Sequence, residues 1–437
     1  MSIKNTLKQL LKDSIAKFTT ISIEDIKIKE SNNSEEVSYY SNILSIIKEN
    51  LNEEYEKLYY LLKNNISKNN LINNINLQPN NLIKISINKQ YLVDYIKKII
   101  EQNDNIGNNS IGNNKKIKIE VITNNSYNLI NNYLNTLLYI DNLSRIMQYC
   151  KFDIEKEIFF IEDKTDYDII KKQLDNYRIY IEKYSNNIEI TNDYIIEDLI
   201  NKIRYTNKCY IEDNKLLIKN IDDHTKEQFP LINENGDYTS FSKILTNLYK
   251  IYKEGYKEIY IYSNLITNNC IDNIEEIFNS LNIDINLSKM NTILDNIQLD
   301  SISNINKIRY IIASNNNESN NQIIEKNLYK ITSFNNKLDL IIKKITNNID
   351  KYNNKNDNIS YNIMNKLIEF EDIVIKAVKE KNSNIIIIYS LELIGLVNII
   401  IDSKSFNNPN IINLFEATKI VNNNILKIIG LIPQDEI

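Results

Sequence analysis

Glycine, histidine and tryptophan are scarce in this chain, and their scarcity excludes several kinds of catalytic site. The 437 residues include six Gly, one His and no Trp. A single histidine cannot supply a histidine-based catalytic triad or a zinc site on a two-histidine helix. The sequence contains neither a G-x-G-x-x-G motif nor a P-loop, so the usual glycine-rich phosphate-binding loops are also excluded.

Cysteine is equally sparse. Cys150, Cys209 and Cys270 stand about sixty residues apart, and no C-x-x-C pair occurs. This spacing gives no zinc ribbon, and we expect no bound metal. A small odd number of cysteines is typical of a reducing compartment, so we expect the protein to be cytoplasmic.

Long apolar runs are nearly absent. The first eighteen residues carry Asp13 and lack the uninterrupted apolar core of a signal peptide. Residues 385–401 approach the length of a membrane span, but they include Glu392 and Asn398. We therefore expect this stretch to be a buried helix of a bundle, and we expect no membrane partner.

Charge gives a weaker constraint. Lys and Arg together number 52 against 57 Asp and Glu, for a net charge of −5, and Lys far outnumbers Arg. A slightly acidic chain is not a wholesale electrostatic binder of nucleic acid, although local basic patches remain compatible with it. The single histidine, His224, lies in a polar stretch and is expected to be a solvated loop residue.

The first hundred residues predict an α+β unit. Residues 1–18 repeat apolar side chains at helical spacing, and residues 36–64 read as further helix. Residues 81–100 predict a short alternating strand followed by a helix. Two of the six glycines and many Asn then mark a linker at 103–116, so we place the first domain at 1–102.

Strands and helices alternate in the middle of the chain. Apolar runs at 116–122, 157–161 and 257–263 predict strands, and helical patterns at 130–150 and 273–281 follow two of them. This order predicts βαβ units and a parallel, nucleotide-binding type of sheet. From residue 302 onward only helical patterning appears, and the last helix is predicted to end at Gly430, just before Pro433.

This order of parts resembles class I aminoacyl-tRNA synthetases, and in detail it resembles the arginyl-tRNA synthetase family over essentially the whole chain. IKIEVITNN resembles the family's first catalytic strand and turn, and LLYIDNLSRIMQYCKFDIEKEIFFIED resembles the following helix and second strand. MNKLIEFEDIVIKAVKEKN and ILKIIGLIPQDEI resemble parts of the anticodon-binding bundle. The resemblance implies an α/β fold with a Rossmann-like core at 117–301, a tRNA-elbow-like α+β domain at 1–102 and an all-α anticodon-binding-like domain at 302–437.

The family's catalytic signatures are missing. The place of its His-Ile-Gly-His motif is SYNLINNYL, 126–134, which contains no His or Gly. The interval between Met290 and Arg309 is about twenty residues too short for the family's Lys-Met-Ser-Lys loop. The family's Gly-Ala-Asp-His-His turn is replaced by NLITN, 264–268. These motifs hold ATP and stabilise the charge that develops at its α-phosphate, so their loss removes transition-state stabilisation.

The amino-acid pocket is only partly retained. The family binds the guanidinium of arginine with a Tyr and an Asp four residues apart, and these positions are Ser240 and Ile244 here. Ile244 cannot supply the carboxylate that a guanidinium requires. Glu120 and Asn125 match the family's contacts to the α-amino end of the amino acid, and they are the candidate binding residues.

The sequence therefore predicts a degenerate arginyl-tRNA synthetase-like protein that is catalytically inactive and binds tRNA or acts as a regulator. No catalytic residue and no cofactor are expected. Two alternatives stay open. One is a divergent but active arginine–tRNA ligase, which would require ATP; the other is a scaffold that binds another protein. The expected partner is accordingly tRNA or a protein.

Overall fold

The structure is a computed structural model, and it divides the chain into two compact units. The first unit combines Met1–Asn109 with Glu318–Ile437, and the second is Ser110–Asn317. The structure describes residues 3–16, 19–31, 36–51, 53–67, 69–124, 129–162, 166–188, 194–219, 228–290, 304–314, 321–347, 358–404, 406 and 410–433, without the side chains of 130–132 and 358–360.

The elements alternate irregularly in the N-terminal part of the first unit. They are α1 Ile3–Ile15, β1 Ile28–Glu30, β2 Ser38–Ser41, α2 Ile43–Leu51, α3 Tyr55–Ile66, β3 Ile72–Leu77, β4 Ile83–Ile87 and α4 Lys89–Gln102.

The second unit contains most of the strands. Its elements are β5 Lys116–Thr123, α5 Leu129–Tyr149, β6 Asp153–Phe160, α6 Tyr167–Asp175, β7 Lys183–Asn186, α7 Ile195–Arg204, β8 Cys209–Glu212, β9 Lys215–Ile218, β10 Pro230–Ile232, α8 Ser240–Lys253, β11 Glu258–Tyr262, α9 Asn268–Ser280, β12 Asn286–Lys289 and α10 Ile305–Ala313.

The C-terminal part of the first unit is helical throughout the residues described. Its helices are α11 Asn321–Thr332, α12 Phe334–Thr346, α13 Asn358–Ile368, α14 Phe370–Lys379, α15 Asn384–Ser403 and α16 Ile411–Ile429. The last helix ends where predicted, because Gly430 adopts the left-handed conformation (φ +67°) that a helix C-terminus favours.

The second unit contains a three-stranded antiparallel sheet in the order β10-β9-β8 and a larger sheet that is parallel and doubly wound. The strand order of the larger sheet is β12-β11-β5-β6-β7, and every described pair in it is parallel. The β-branched and aromatic residues of β5, β6 and β11, which alternate with charged residues in β5 and β6, made these strands predictable. The expected α/β fold with a Rossmann-like core and a helical C-terminal part is therefore confirmed.

The N-terminal part contains more sheet than predicted. Four antiparallel strands form a sheet in the order β1-β2-β4-β3. The sequence indicated only β4 and its following helix, and it assigned Ser38–Ser41 to a helix; that assignment is wrong. The SYYS segment alternates buried Tyr39 with half-buried Tyr40, a pattern that suits a strand covered on one face.

Two predicted boundaries differ from the compact units. Asn103–Asn105 form a 3-10 turn rather than a free linker, and Asn424 Nδ2 donates to the carbonyl of Asn103 at 3.0 Å. The helix α10, placed with the C-terminal domain by the sequence boundary at 302, lies in the second unit, where it packs against α5.

The apolar helix α15 belongs to the C-terminal bundle. Within the part of the chain that the structure describes, it is the one helix long and apolar enough to cross a membrane, and 44% of its most apolar window is buried. It packs against α11, α13, α14 and α16. Tyr389 is buried and donates from its hydroxyl to the carbonyl of Lys366 at 2.8 Å, as expected for a core helix.

Candidate functional site

The parallel sheet has a topological switch point between β5 and β11. From β5 the chain winds outward through β6 and β7 and then returns to β11 on the opposite side. In such sheets ligands bind in the crevice beyond the carboxyl ends of the strands. The candidate catalytic site therefore lies after Thr123 and Tyr262.

Hydrogen bonds between side chains and the backbone connect the strand ends at the switch point. Ser263 donates from Oγ to the carbonyl of Ile122 at 2.8 Å, and the backbone N–H of Leu265 donates to the same Oγ at 3.0 Å. Thr267 caps α9 by accepting from the N–H of Cys270 at 3.1 Å. These contacts show a local structural use for the turn that replaces the Gly-Ala-Asp-His-His motif.

Cations are missing from the described residues directly after three of the strands. Asn124 follows β5, Ile161 and Glu162 follow β6, and residues 263–267 follow β11. None of them is Lys, Arg or His. Triphosphate binding needs donors that offset its charge, and the described residues at these strand ends do not supply a cationic one.

Glu120 lies on the face of β5 that is covered by α8. Its side chain is fully buried, and its Oε1 accepts a hydrogen bond of 2.8 Å from Nδ2 of Asn247 on α8. Its Oε2 has no hydrogen-bond partner. Burial, and then the neighbouring carboxylate of Glu157, raise the pKa of Glu120 well above its ordinary value. The buried environment therefore disfavours the charged form of this carboxyl group.

A second buried carboxylate stands beside Glu120. Glu157 is the direct register partner of Glu120 on β6. Lys118 Nζ lies 2.5 Å from its Oε2, and Ser185 donates to its Oε1. Burial alone would lower the pKa of the Lys118 ammonium, but Glu157 and Glu120 raise it. The network spans three strands and is a structural polar layer under α8.

The positions that resemble the guanidinium pocket contain no acidic group. Ser240 is the first residue of α8 and is exposed. Ile244, one turn later, is 3% exposed and belongs to a buried hydrophobic cluster that includes Phe229 and Ile261. An arginine side chain placed against Ile244 would lose water without gaining a carboxylate, at a cost of several kcal/mol.

Several predicted site residues lie outside the described part of the chain. They are Asn125, residues 126–128 of the segment 126–134, His224 and residues 291–303 of the interval before Arg309. At the two ends of that interval the structure describes residues 304–308 and Met290, whose N–H donates to the carbonyl of Ile261 at 2.9 Å as a continuation of β12. Among the residues described, no group of His, Cys, Asp and Glu side chains could hold a metal ion.

A second candidate site lies on the open face of the N-terminal sheet. Lys29 pairs with Tyr40, and Tyr40 pairs with Lys84 across β1, β2 and β4. Asn76 on β3 pairs with Lys84 and completes a row across four strands. An open groove of about 900 Å³ follows this face. Sequence reasoning missed the row, because its members come from four separate short segments.

The charges of the groove are only partly balanced. Lys84 Nζ lies 2.6 Å from Oε1 of Glu36, which lowers the pKa of that carboxyl although burial opposes it. Lys27 and Lys29 are exposed and have no ion-pair partner among the residues described. Exposed ammonium groups beside an aromatic ring suit a ligand with phosphates and bases.

Comparison with solved structures shows the fold to which this chain is similar. It superposes on arginyl-tRNA synthetase from Plasmodium falciparum with a TM-score of 0.69 at 13% identity, covering 99% of this chain and 98% of that one. It superposes on the Thermus thermophilus arginyl-tRNA synthetase with a TM-score of 0.64 at 8% identity, covering 99% and 100%. A methionyl-tRNA synthetase from Mycobacterium tuberculosis matches over 72% of this chain, at a TM-score of 0.52 and 7% identity. No protein-family model matches the sequence, and no curated protein matches it significantly.

Proposed function

We propose that this chain, which has the fold of arginyl-tRNA synthetases, binds tRNA without aminoacylating it. The arginyl-tRNA synthetases superpose along the whole chain, whereas the methionyl enzyme covers 72% of it. Separate observations support the loss of aminoacylation and the retention of RNA binding.

The burial of Ile244 supports the loss of chemistry. A buried isoleucine in the hydrophobic cluster fills the position where the resembling family places its guanidinium-binding carboxylate. Glu120, the candidate for the α-amino end, is fully buried and bonded to Asn247. Neither side chain is placed to pair with a cationic substrate. Each lost contact of this kind removes a few kcal/mol of binding or transition-state stabilisation.

The row of Lys29, Tyr40 and Lys84 across three strands is the main observation that supports RNA binding. Unpaired bases of RNA stack on aromatic side chains, and lysines neutralise the phosphates between them. The groove offers Tyr40 half-exposed between two lysines, with Lys27 at its margin. Tertiary loops of a folded tRNA present such bases and phosphates together.

Binding of total tRNA at two salt concentrations tests the proposal. If two phosphates are neutralised, affinity falls by about tenfold between roughly 50 and 200 mM salt. A variant with Lys27→Ala and Lys29→Ala should bind more weakly at the lower salt and show a salt slope reduced by about two.

The matched control is a variant with Lys97→Ala and Lys98→Ala. These two lysines lie on α4 of the same unit, are exposed and are removed with the same change in net charge. We expect it to bind like the wild type. Equal losses in both double variants would show that net charge rather than the groove is responsible, and no binding at low salt would favour a protein partner.

A further inference from the structure

Three of the four arginines in the chain form one cluster in the second unit, and two of them bind the same carboxylate. The arginines are Arg145, Arg178, Arg204 and Arg309. Arg309, on α10, is fully buried, and its Nη1 donates to Oδ2 of Asp141 on α5 at 2.9 Å. Arg145 donates from Nε to the same oxygen at 2.7 Å. In a chain that uses Lys for nearly every cation, retained arginines mark places where a planar, multi-donor group is required.

Arg178 completes the cluster without a carboxylate of its own. Its carbonyl accepts from Nη2 of Arg309 and, at 3.5 Å, from Nη2 of Arg145. Its guanidinium donates from Nη1 to Oδ1 of Asn306 at 3.2 Å. Burial, and then the positive charge of Arg145, lower the pKa of Arg178, and no acidic group among the residues described pairs with it.

Positive charge exceeds negative charge in the contacts of this cluster. Lys156 Nζ approaches Asp141 at 3.4 Å and Glu182 at 3.8 Å. Together with the three arginines this gives four cations against two carboxylates, an excess of two. Arg309 and Lys156 are buried, whereas Arg145 and Arg178 are partly exposed, so an anion bound at the latter two would reduce the repulsion among the four cations.

Hydrogen-bond donors are also in excess. Nε of Arg309 and Nδ2 of Asn142 are buried and have no hydrogen-bond partner within the described part of the chain. Toward the residues that the structure describes, the Arg178 side chain donates from Nη1, so its Nε and Nη2 are available to a ligand. Arg178 adopts a left-handed backbone conformation (φ +57°) just after α6, where the N–H of Ile179 donates to the carbonyl of Leu174 at 3.1 Å and closes the helix end.

We propose that Arg178 and Arg145 bind a phosphate group at this surface of the second unit. A phosphate oxygen pair matches the fork of a guanidinium, and two negative charges balance the local excess. Arg178 precedes β7, and Arg145 lies near the end of the helix that returns to the start of β6. The site is therefore toward the amino-terminal edge of the strands, opposite the crevice at the switch point, and it does not depend on the proposed tRNA groove.

Thermal unfolding with inorganic phosphate tests this site. We expect phosphate to raise Tm when chloride at the same ionic strength does not, because only the folded state binds it. Arg178→Gln should require at least about tenfold more phosphate for the same shift. Arg204→Gln is the matched control, since Arg204 is exposed at the end of α7 and lies outside the cluster, and it should respond like the wild type.

Two further variants keep the test decisive. Arg178→Lys retains the charge without the planar guanidinium, and its response to phosphate should lie between those of the wild type and Arg178→Gln. Arg145→Gln replaces a partly exposed side chain and should also lose the response, so it serves as the test if Arg178→Gln does not fold. Equal phosphate responses in the wild type and in the folded Arg178 and Arg145 variants would overturn the proposal, as would an equal effect of chloride.

The source of the phosphate is resolved by measuring tRNA binding with the same variants. Weaker tRNA binding by Arg178→Gln, with Arg204→Gln unchanged, assigns the site to the RNA backbone. Unchanged tRNA binding together with a lost phosphate response assigns it to a small phosphorylated ligand. Both results support a phosphate site, and they remain separable from failure of the Lys27 and Lys29 groove.

Discussion

Asn247 donates its hydrogen bond to Glu120 across 127 positions of sequence, and the bond joins α8 to the central strand of the parallel sheet. The contact places an acidic group in the hydrophobic core and satisfies one of its two oxygens. A polar pair of this kind is costly to break on one side, because the remaining group stays buried without a partner. The core of the second unit therefore depends on the residue that also marks the candidate amino-acid pocket.

Asn247→Leu should destabilise the second unit. Loss of the amide leaves Glu120 buried without its donor, which costs about 1–3 kcal/mol. The change in the free energy of unfolding is measured from the urea-induced unfolding transition of this unit. Asn279→Leu on α9 is the control, because Asn279 is exposed and its substitution should stay within about 0.5 kcal/mol. A neutral Asn247→Leu would show that the hydrogen bond is dispensable.

Arginine-dependent exchange of pyrophosphate into ATP should be absent. The candidate pocket presents Ile244 rather than a carboxylate, and the described ends of β5, β6 and β11 carry no cation to hold phosphates. The assay compares the wild type with Glu120→Gln, with and without tRNA, and we expect both to equal a no-protein control. Exchange that is clear in the wild type and lost in Glu120→Gln would establish the enzyme alternative.

The buried pair of Asp141 and Arg309 should show an asymmetric response to mutation. Arg309→Met removes a buried cation and should cost about 3 kcal/mol, since Asp141 keeps Arg145 and Lys156. Asp141→Asn removes the carboxylate that three cations share and should cost more. Urea midpoints measure both, with Arg204→Gln as control. The reverse order would show that the cluster lacks the positive excess inferred from its contacts.

The parts of the fold that the sequence predicted are those with a local signal. The apolar runs of β5, β6 and β11 and the helical spacing of Leu7 and Leu11 in α1 each appear within a dozen residues. The helix stop at Gly430 is similarly local. The prediction for Ser38–Ser41 was wrong because the four residues SYYS are too short a pattern to distinguish a strand from the start of a helix.

The candidate sites depended on distant pairs and could not be read in the same way. Asp141 and Arg309 are 168 positions apart, and only the packing of α10 on α5 brings them together. Lys29, Tyr40 and Lys84 share a row because of strand register, which a single sequence does not fix. The resemblance indicated Glu120, but the structure was needed to find its partner Asn247.

Stability should fall with rising pH because of Glu30. Burial, and then a hydrogen bond and repulsion from Glu369, raise the pKa of Glu30 from 4.5 to about 8, although Lys4 and Lys366 oppose the shift. A raised folded-state pKa means that the folded protein binds more protons than the unfolded one between these values. The contribution is therefore complete below about pH 4.5 and is lost as pH rises toward about 8.

Glu30→Gln isolates this effect. The amide replaces the protonated carboxyl and can still donate to Glu369, so the variant should match the wild type near pH 5 and exceed its Tm near pH 8. The other groups near Glu30 remain in both proteins. They include the buried Tyr39, Lys4 and Asp372, which also pairs with Lys4. A constant Tm difference across this range would contradict the assignment.

Tyr40→Ala should weaken tRNA binding without changing its dependence on salt. Stacking of a base on an aromatic ring contributes about 1–3 kcal/mol and releases no counterions, whereas each lysine contact to a phosphate does. The affinity should therefore fall by roughly fivefold or more at every salt concentration, with a slope parallel to that of the wild type. Tyr40→Phe keeps the ring and should bind normally. Filter binding from about 50 to 200 mM salt compares the slopes. A Tyr40→Ala variant with wild-type affinity would place the RNA away from this row, and one with a shallower slope would show that the tyrosine acts by positioning Lys29 and Lys84 rather than by stacking.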